Sequence, residues 1–345
     1  MNHNNEIPIF ITGTYRTGST LLSRILNNHK DLNITYDSIN YFRFVLKKNI
    51  QPELYRDIVE EIANRMKLRY GVCIEQEKII NKLESLNEQI SHKLIYENVY
   101  NNLFQYNKKR WGEKSLMEWT NIETFLKMYP KGSVIHIVRD PRDVMASYKY
   151  MTKETGKKYL DSIFCCMSSM NQAIKYKNKL NKDNYRILRY EDLVGNKEIC
   201  IREICEFLNI EFDSGMLDIS KSIDIVHGKL DKNSHTSFPE SKKLHGNWVH
   251  KLDQDEISII NTLLGDQMKF FSYQPTNKIS SIDLESLANK LFSNENLLLQ
   301  RWANFKLTND GVEAYPSDPT KQKNWVKRSG ISGEGASKEY IKFNS

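Results

Sequence analysis

Cysteine is scarce in this chain: the 345 residues hold five, Cys73, Cys165, Cys166, Cys200 and Cys205, with no CxxC pair among them. That spacing excludes a disulfide-rich framework and points to a reducing compartment. Long hydrophobic runs are missing too, and no uninterrupted apolar stretch approaches the roughly 20 residues a transmembrane helix requires. The polar start, Met1 to Glu6, runs straight into Ile7-Pro8-Ile9-Phe10-Ile11, without the positive segment and long apolar core of a secretory signal. A soluble, cytoplasmic protein is expected. No internal repeat is visible. At 39% hydrophobic and 27% charged residues the composition is globular, excluding disordered and collagen-like chains. The length suffices for one large α/β domain, or two ordinary ones, with a sizeable core.

Positive charge is present in moderate excess. Fifty Lys and Arg against 43 Asp and Glu leave a formal charge of +7, which suits an anionic ligand but does not demand nucleic acid. The clusters Lys108-Lys109-Arg110, Lys157-Lys158 and Lys242-Lys243 lack interleaved stacking aromatics and read as solvated faces and loops unless a second ligand signal lies beside them.

Strands and helices alternate along the chain. Ile7 to Thr12 is a short β-rich run fit for a buried parallel strand, and Ser19 onward is helical, with Leu21, Leu22, Ile25 and Leu26 on one face. Residues 38–109 read as mostly helical. Ser133 to Val138 is a second buried strand, followed by a helix from Pro141, since proline suits a first helical turn. Lys157 to Leu180 is helix-rich, Tyr185 to Arg189 is a third strand, and Asn196 to Leu208, 254–271 and 281–292 are helical. This order predicts an α/β fold: a central parallel sheet of P-loop-like topology, helices on both faces and helical insertions. Residues 1–275 are expected to form that domain, with the helical insertion at about 38–109. Residues 276–345 are expected to form a C-terminal helix and an extended or partly disordered tail, which Tyr315, Trp325, Tyr340 and Phe343 could anchor.

Gly13-x-x-x-x-Gly18-Ser19-Thr20 lies between a predicted strand and a predicted helix. Glycines let the backbone curl so that successive N–H groups point inward, and the helix N-terminus adds partial positive charge, which together cradle a tetrahedral dianion. A tight strand-to-helix turn without ligand is the plain alternative. The nucleotide-hydrolysing P-loop has lysine directly after its second glycine. Here Ser19 stands there and the cation is Arg16, while Arg139 rather than an acid ends the second strand, so ATP with magnesium is disfavoured. Val138-Arg139-Asp140-Pro141-Arg142-Asp143-Val144-Met145-Ala146-Ser147 puts a cation at a strand's C-terminal end and a hydroxyl about two turns into the next helix. Ligands bind at that end of open α/β sheets, so Arg139 and Ser147 could hold a second phosphate, separate from the first. A salt-bridged helix start is the alternative.

These residues resemble the sulfotransferases that use 3′-phosphoadenosine 5′-phosphosulfate (PAPS). Thr14 to Leu22 is similar to that family's 5′-phosphosulfate loop and Ile137 to Ser147 to its 3′-phosphate segment. Trp111-Gly112-Glu113-Lys114-Ser115, Arg189-Tyr190-Glu191-Asp192-Leu193 and Gly246-Asn247-Trp248 resemble further landmarks in the expected order. The similarity spans roughly residues 7–272. Arg16 stands where the cytosolic small-phenol enzymes have lysine, so the chain looks closer to bacterial and tyrosylprotein-type members. The resemblance implies that Arg16 and the backbone of Thr17, Gly18, Ser19 and Thr20 hold the 5′-phosphosulfate, with both hydroxyls helping. It implies Arg139 and Ser147 on the 3′-phosphate, Tyr190 near the adenine, and Lys242 and Lys243 completing the 3′-phosphate pocket. It also implies catalytic roles for Asp37, as the base that deprotonates an acceptor hydroxyl, and for Arg16 and Lys114, as cations stabilising the charge that develops on the leaving oxygen.

Two of these positions carry structural alternatives: Asp37 as N-cap of a helix beginning near Ser38, and Glu113–Lys114 as an ion pair in a surface turn. No metal is expected, because His227, His235, His245 and His250 fit no zinc spacing and read as loop histidines, with Ser234 and His235 near the substrate. The expected reaction moves a sulfuryl group from PAPS to an acceptor hydroxyl, giving a sulfate ester and 3′,5′-ADP. A P-loop kinase using ATP and magnesium and a non-catalytic anion-binding interaction protein are the rivals. The acceptor, whether carbohydrate, peptide, lipid or small alcohol, and homo-oligomerisation stay open.

Overall fold

The computed structural model describes residues 7–46, 54–86, 88–105, 108–152, 158–229 and 246–274, with isolated positions 285, 289, 303 and 307 beyond. The expectations for Ser234, His235, Lys242, Lys243 and His245, and for the tail beyond 275, lie outside the described residues apart from those four positions. Five strands, β1 (Ile9–Gly13), β2 (Leu32–Tyr36), β3 (Arg110–Lys114), β4 (Ser133–Val138) and β5 (Tyr185–Arg189), form one sheet in the order β2-β3-β1-β4-β5. Every neighbouring pair in it is parallel. The chain leaves β1 toward β2 on one side and β4 toward β5 on the other. The carboxyl ends of β1 and β4 therefore flank the crevice that such a reversal opens.

Helix α1 (Ser19–Asn27) follows β1 directly. Its Leu21, Leu22, Ile25 and Leu26 pack with Ile9 and Ile11 on one face of the sheet, where Ile201, Ile204 and Leu208 of a later helix join them. Between β2 and β3 lie α2 (Tyr41–Phe44), α3 (Tyr55–Tyr70), α4 (Gln76–Glu84) and α5 (His92–Phe104), and α6 (Ile122–Met128) follows β3. These pack an aromatic-rich core on the other face, with Phe10 stacked on Phe125 at 5.0 Å and Tyr100 on Trp111 at 4.5 Å. After β4 come α7 (Pro141–Thr152) and α8 (Ser162–Lys179), and after β5 come α9 (Tyr190–Gly195) and α10 (Lys197–Leu208). A small antiparallel hairpin, β6 (Ile223–Asp224) and β7 (Gly228–Lys229), precedes α11 (Trp248–Lys251) and α12 (Gln254–Phe270). A capping box between Asp253 and Glu256 starts α12, and the buried Glu256 carboxylate also holds Lys149 of α7 at 2.8 Å.

Strands β2 and β3 escape the hydrophobic pattern. Arg110-Trp111-Gly112-Glu113-Lys114 is buried at every position although three of its five residues are charged. Glu113, read above as half of a surface ion pair, accepts hydrogen bonds from Asn40 N–H (2.9 Å), Ser38 Oγ (3.2 Å) and the Tyr96 hydroxyl (2.9 Å). Burial pushes its carboxyl up to about 7. The Lys108–Arg110 cluster is likewise no solvated face. Lys108 donates to the carbonyls of Asn27, His29 and Leu32 at 2.8–3.0 Å, closing the C-terminal end of α1. Arg110 is buried and donates to the carbonyls of Ile7 (2.8 Å) and Leu208 (2.6 Å). Only Lys109 is solvent-exposed.

Candidate active site

The loop joining β1 to α1 is shaped by two positions that only glycine satisfies. A Cβ on Gly13 would sit 2.4 Å from the Ile137 carbonyl oxygen, and one on Gly18 would sit 2.3 Å from the Tyr190 ring. Gly18 also has φ +84°, a left-handed conformation that strains other residues. Thr17 Oγ1 donates to the Thr14 carbonyl at 2.7 Å and folds the loop on itself. Gly18 caps α1 without a side-chain hydrogen bond, and no acidic residue stands in the first turn. The first-turn N–H groups, which have no intrahelical partner, are thus presented to the crevice with the positive end of the helix. The donor set fits a tetrahedral anion.

Around this loop two groups of side chains gather. On the β4 side, Arg139 leaves the strand end, donates from Nη1 to the Arg16 carbonyl at 2.8 Å and lies over the Tyr190 ring at 4.2 Å. Arg16, at φ 66°, donates from Nε to Ser147 Oγ at 2.9 Å. The helix start is also salt-bridged, but through Arg142, which pairs with Asp140 at 2.7 Å and lies over Trp248 at 4.1 Å. Asp143 accepts from the N–H groups of Gly246 (2.7 Å) and Trp248 (3.1 Å). Glu191 accepts from Asp140 N–H at 3.0 Å and from the Tyr273 hydroxyl at 2.9 Å, which locks Tyr190 beside Gly18. Four predicted site residues, Arg16, Arg139, Ser147 and Tyr190, are thereby brought together. They form one connected group rather than two separate pockets, because Arg16 reaches the residue expected at the other phosphate.

On the β2–β3 side, the Asp37 carboxylate forms an ion pair with the Lys114 ammonium, which also donates to Thr20 Oγ1 at 3.3 Å. Lys114 is 1% exposed and Asp37 26%, so the pair has one dry partner and one that reaches solvent. The register that sets Tyr36 opposite Lys114 builds it, and Asp37 N–H donates to the Lys114 carbonyl at 2.9 Å. Asp37 is no helix cap: it has φ 49°, and α2 starts only after Asn40.

Four residues at this site, Tyr70, His227, Asp224 and Arg24, carry no sequence signal. The Tyr70 hydroxyl donates to the Asp37 carbonyl. The His227 ring stacks on Tyr36 at 4.1 Å and 4°, with Nε2 2.6 Å from the Tyr36 carbonyl. A carbonyl only accepts, so Nε2 carries the proton. Asp224 accepts from His227 N–H at 2.8 Å, and Arg24 donates to the Tyr36 hydroxyl and the Gly228 carbonyl, both at 2.7 Å. Burial lowers the His227 pKa and raises that of Tyr36 to about 12, so both stay neutral near pH 7. His227 is indeed a loop histidine, yet it holds the backbone from which Asp37 projects. Its sequence neighbourhood says nothing of this, because Tyr36, whose carbonyl it holds, lies 191 residues away.

A parallel α/β sheet with an uncapped helix N-terminus, flanking cations and a carboxylate at its switch point is an arrangement suited to an anionic substrate. Comparison makes this specific. Residues 8–214 match the model of the Sulfotransferase family, and the chain belongs to that family. It is 24% identical over 263 residues to protein-tyrosine sulfotransferase 1 of Danio rerio, covering 73% of this chain and 69% of that protein. It is 20% identical over 269 residues to the protein-tyrosine sulfotransferase of Drosophila melanogaster, covering 74% of this chain and half of that protein's length. In fold it is similar to the sulfotransferase domain of the Synechococcus PCC 7002 olefin synthase (TM-score 0.50, 20% identity), covering 80% of this chain and 98% of the other. Among the described residues, no helix is long and apolar enough to cross a membrane.

Proposed function

We propose that this sulfotransferase takes PAPS as donor and moves its sulfuryl group in line to an acceptor hydroxyl, releasing 3′,5′-ADP. The observation that carries the reading is the placement of two polar groups at the two ends of one glycine loop. Arg16, Arg139 and Ser147 lie at one end, and Lys114 with Asp37 at the other, beside Thr20. Such a span suits a ligand with anions at both ends of a nucleoside, whose remote contacts orient the reacting sulfur.

In this reading the N–H groups of Thr17 to Thr20 hold the 5′ end, and Arg139 and Ser147 the 3′-phosphate. Tyr190, already packed on Gly18 and under Arg139, flanks the adenine. Arg16 exchanges its bond to Ser147 for an anion when the donor arrives. Lys114, dry and adjacent to α1, stabilises the oxygen on which negative charge develops as the S–O bond to the leaving phosphate breaks. Asp37, the solvent-reaching partner, accepts the proton of the acceptor hydroxyl as the new S–O bond forms. The relatives named for protein tyrosine favour a peptide hydroxyl as acceptor. The kinase reading is disfavoured by Ser19 in the lysine position of the P-loop.

Mass spectrometry of acceptor pools, peptides included, incubated with the protein and PAPS tests this; a gain of one SO₃ unit is expected. Phosphate transfer from ATP with no use of PAPS would overturn it. Calorimetric binding of 3′,5′-ADP with no transfer across the pools would instead favour the non-catalytic rival.

A further inference from the structure

A cleft of about 630 Å³ runs along the open edge of β5, the side of the sheet opposite β2. Its floor is backbone. Val134 pairs with Tyr185 and its N–H donates to the Asn184 carbonyl at 2.7 Å. In a parallel ladder Asn184, Arg186 and Leu188 therefore bond toward β4, and the N–H and C=O of Ile187 point the other way, into the cleft. No described residue bonds them. The walls are mixed: Leu180, Ile199, Phe207 and Phe270 set apolar patches among charged and polar residues. Ile199 is 62% exposed and Phe270 41%, uncommon for large apolar side chains gathered at one place.

Charge selects among occupants. Of the four cations lining the cleft, Arg186 pairs with Glu203 and Arg189 with Asp192. Lys177 lies over the Phe270 ring at 4.9 Å, and Lys182 stands on the turn after α8. The rim therefore keeps a net positive charge from Lys177 and Lys182. We propose that this cleft binds an acidic peptide segment in extended conformation, which adds a strand to β5 through the Ile187 backbone, seats its alternate apolar side chains on one face against Ile199, and presents the intervening carboxylates on the other face to Lys177 and Lys182. The site is independent of the sulfuryl-transfer reading, and either can fail alone.

Fluorescence polarisation with the full-length protein and two labelled hexapeptides, one alternating Asp and Val and one alternating Lys and Val, tests this. The acidic probe is expected to bind at least about tenfold more tightly than the basic one. Ile187→Pro removes an outward N–H without breaking the β4–β5 ladder, as proline is tolerated on an edge. It should weaken the acidic probe about tenfold or more while 3′,5′-ADP binding stays unchanged. The double variant Lys177→Glu, Lys182→Glu should invert the preference between probes, and it decides alone if Ile187→Pro fails to fold. Equal affinity for both probes, or undiminished binding by the folded Ile187→Pro variant, overturns the proposal. So does a synthetic 276–292 peptide that displaces the acidic probe at lower concentration, or self-association that Ile187→Pro dissolves, since each assigns the edge to this chain itself.

Discussion

The two ends of β3 bury the same kind of group and give it different partners. Arg110 at the start and Lys114 at the end are both buried cations on one strand, about 13 Å apart at 3.3 Å per residue. Arg110 gives its hydrogen bonds to backbone carbonyls that no ligand can replace. Burial lowers its pKa to about 10, so its charge is tolerated rather than exploited. Lys114 instead faces one carboxylate that reaches solvent and Thr20 in the first turn of α1. A buried cation is structural when neutral carbonyls satisfy it within the fold. One whose counter-ion stands at an opening is within reach of a ligand.

The sharpest break of this comparison is the pair Lys114→Met and Arg110→Met. The first should reduce turnover about 10³-fold with little change in melting temperature. The second should cost about 2–4 kcal/mol of stability, through the carbonyls left unsatisfied, with turnover per folded molecule retained. If Lys114→Met instead melts early and turns over normally, the two ends are alike and the contrast is lost. Asp37→Ala should lower kcat by about 10²–10³-fold while calorimetry shows 3′,5′-ADP binding intact. An unchanged kcat removes Asp37 from the chemistry.

Glu113, between the two ends, sharpens the picture by pH. Its folded pKa, about 7, lies above the ordinary 4.5, so the folded state binds the extra proton and stability falls as pH rises from about 4.5 to 7, then levels. Glu113→Gln should flatten the fall in denaturant midpoint over that window, by up to about 3 kcal/mol. An identical slope in the variant would mean that the carboxyl is already ionised in the fold. The smallest effect is expected at Arg139→Ala, which should weaken 3′,5′-ADP binding about 10–100-fold in titration calorimetry, with kcat at saturating donor nearly kept.

Legibility in the sequence followed the same division. Strands β1, β4 and β5 were readable as short β-rich apolar runs, and helices α1, α10 and α12 because their apolar residues keep a helical period. The glycine loop between β1 and α1 was readable because Gly13, Arg16, Gly18 and Thr20 fall within eight residues. Strands β2 and β3 were not, since β3 buries Arg110, Glu113 and Lys114 by satisfying them with partners far along the chain, which a hydropathy pattern scores as surface. The alternatives for Asp37, base or helix cap, could not be separated until the backbone showed a left-handed turn off a strand end. Tyr70 and His227 were silent for a related reason: each acts on a backbone carbonyl, which has no residue identity to match.

By itself the sequence determined the family, the alternation of strands and helices that implies a parallel sheet, and the glycine loop after β1, because each is written in motifs and patterns a few residues long. The tertiary structure decided that Lys114 meets Asp37, that Arg16 reaches Ser147, that Lys108 and Arg110 are scaffold, and that no described residue pairs with the outer edge of β5. Those outcomes depend on strand order and register, which bring together groups 77 to 131 residues apart. Burial and partnership, rather than residue type, then set what each charge can do.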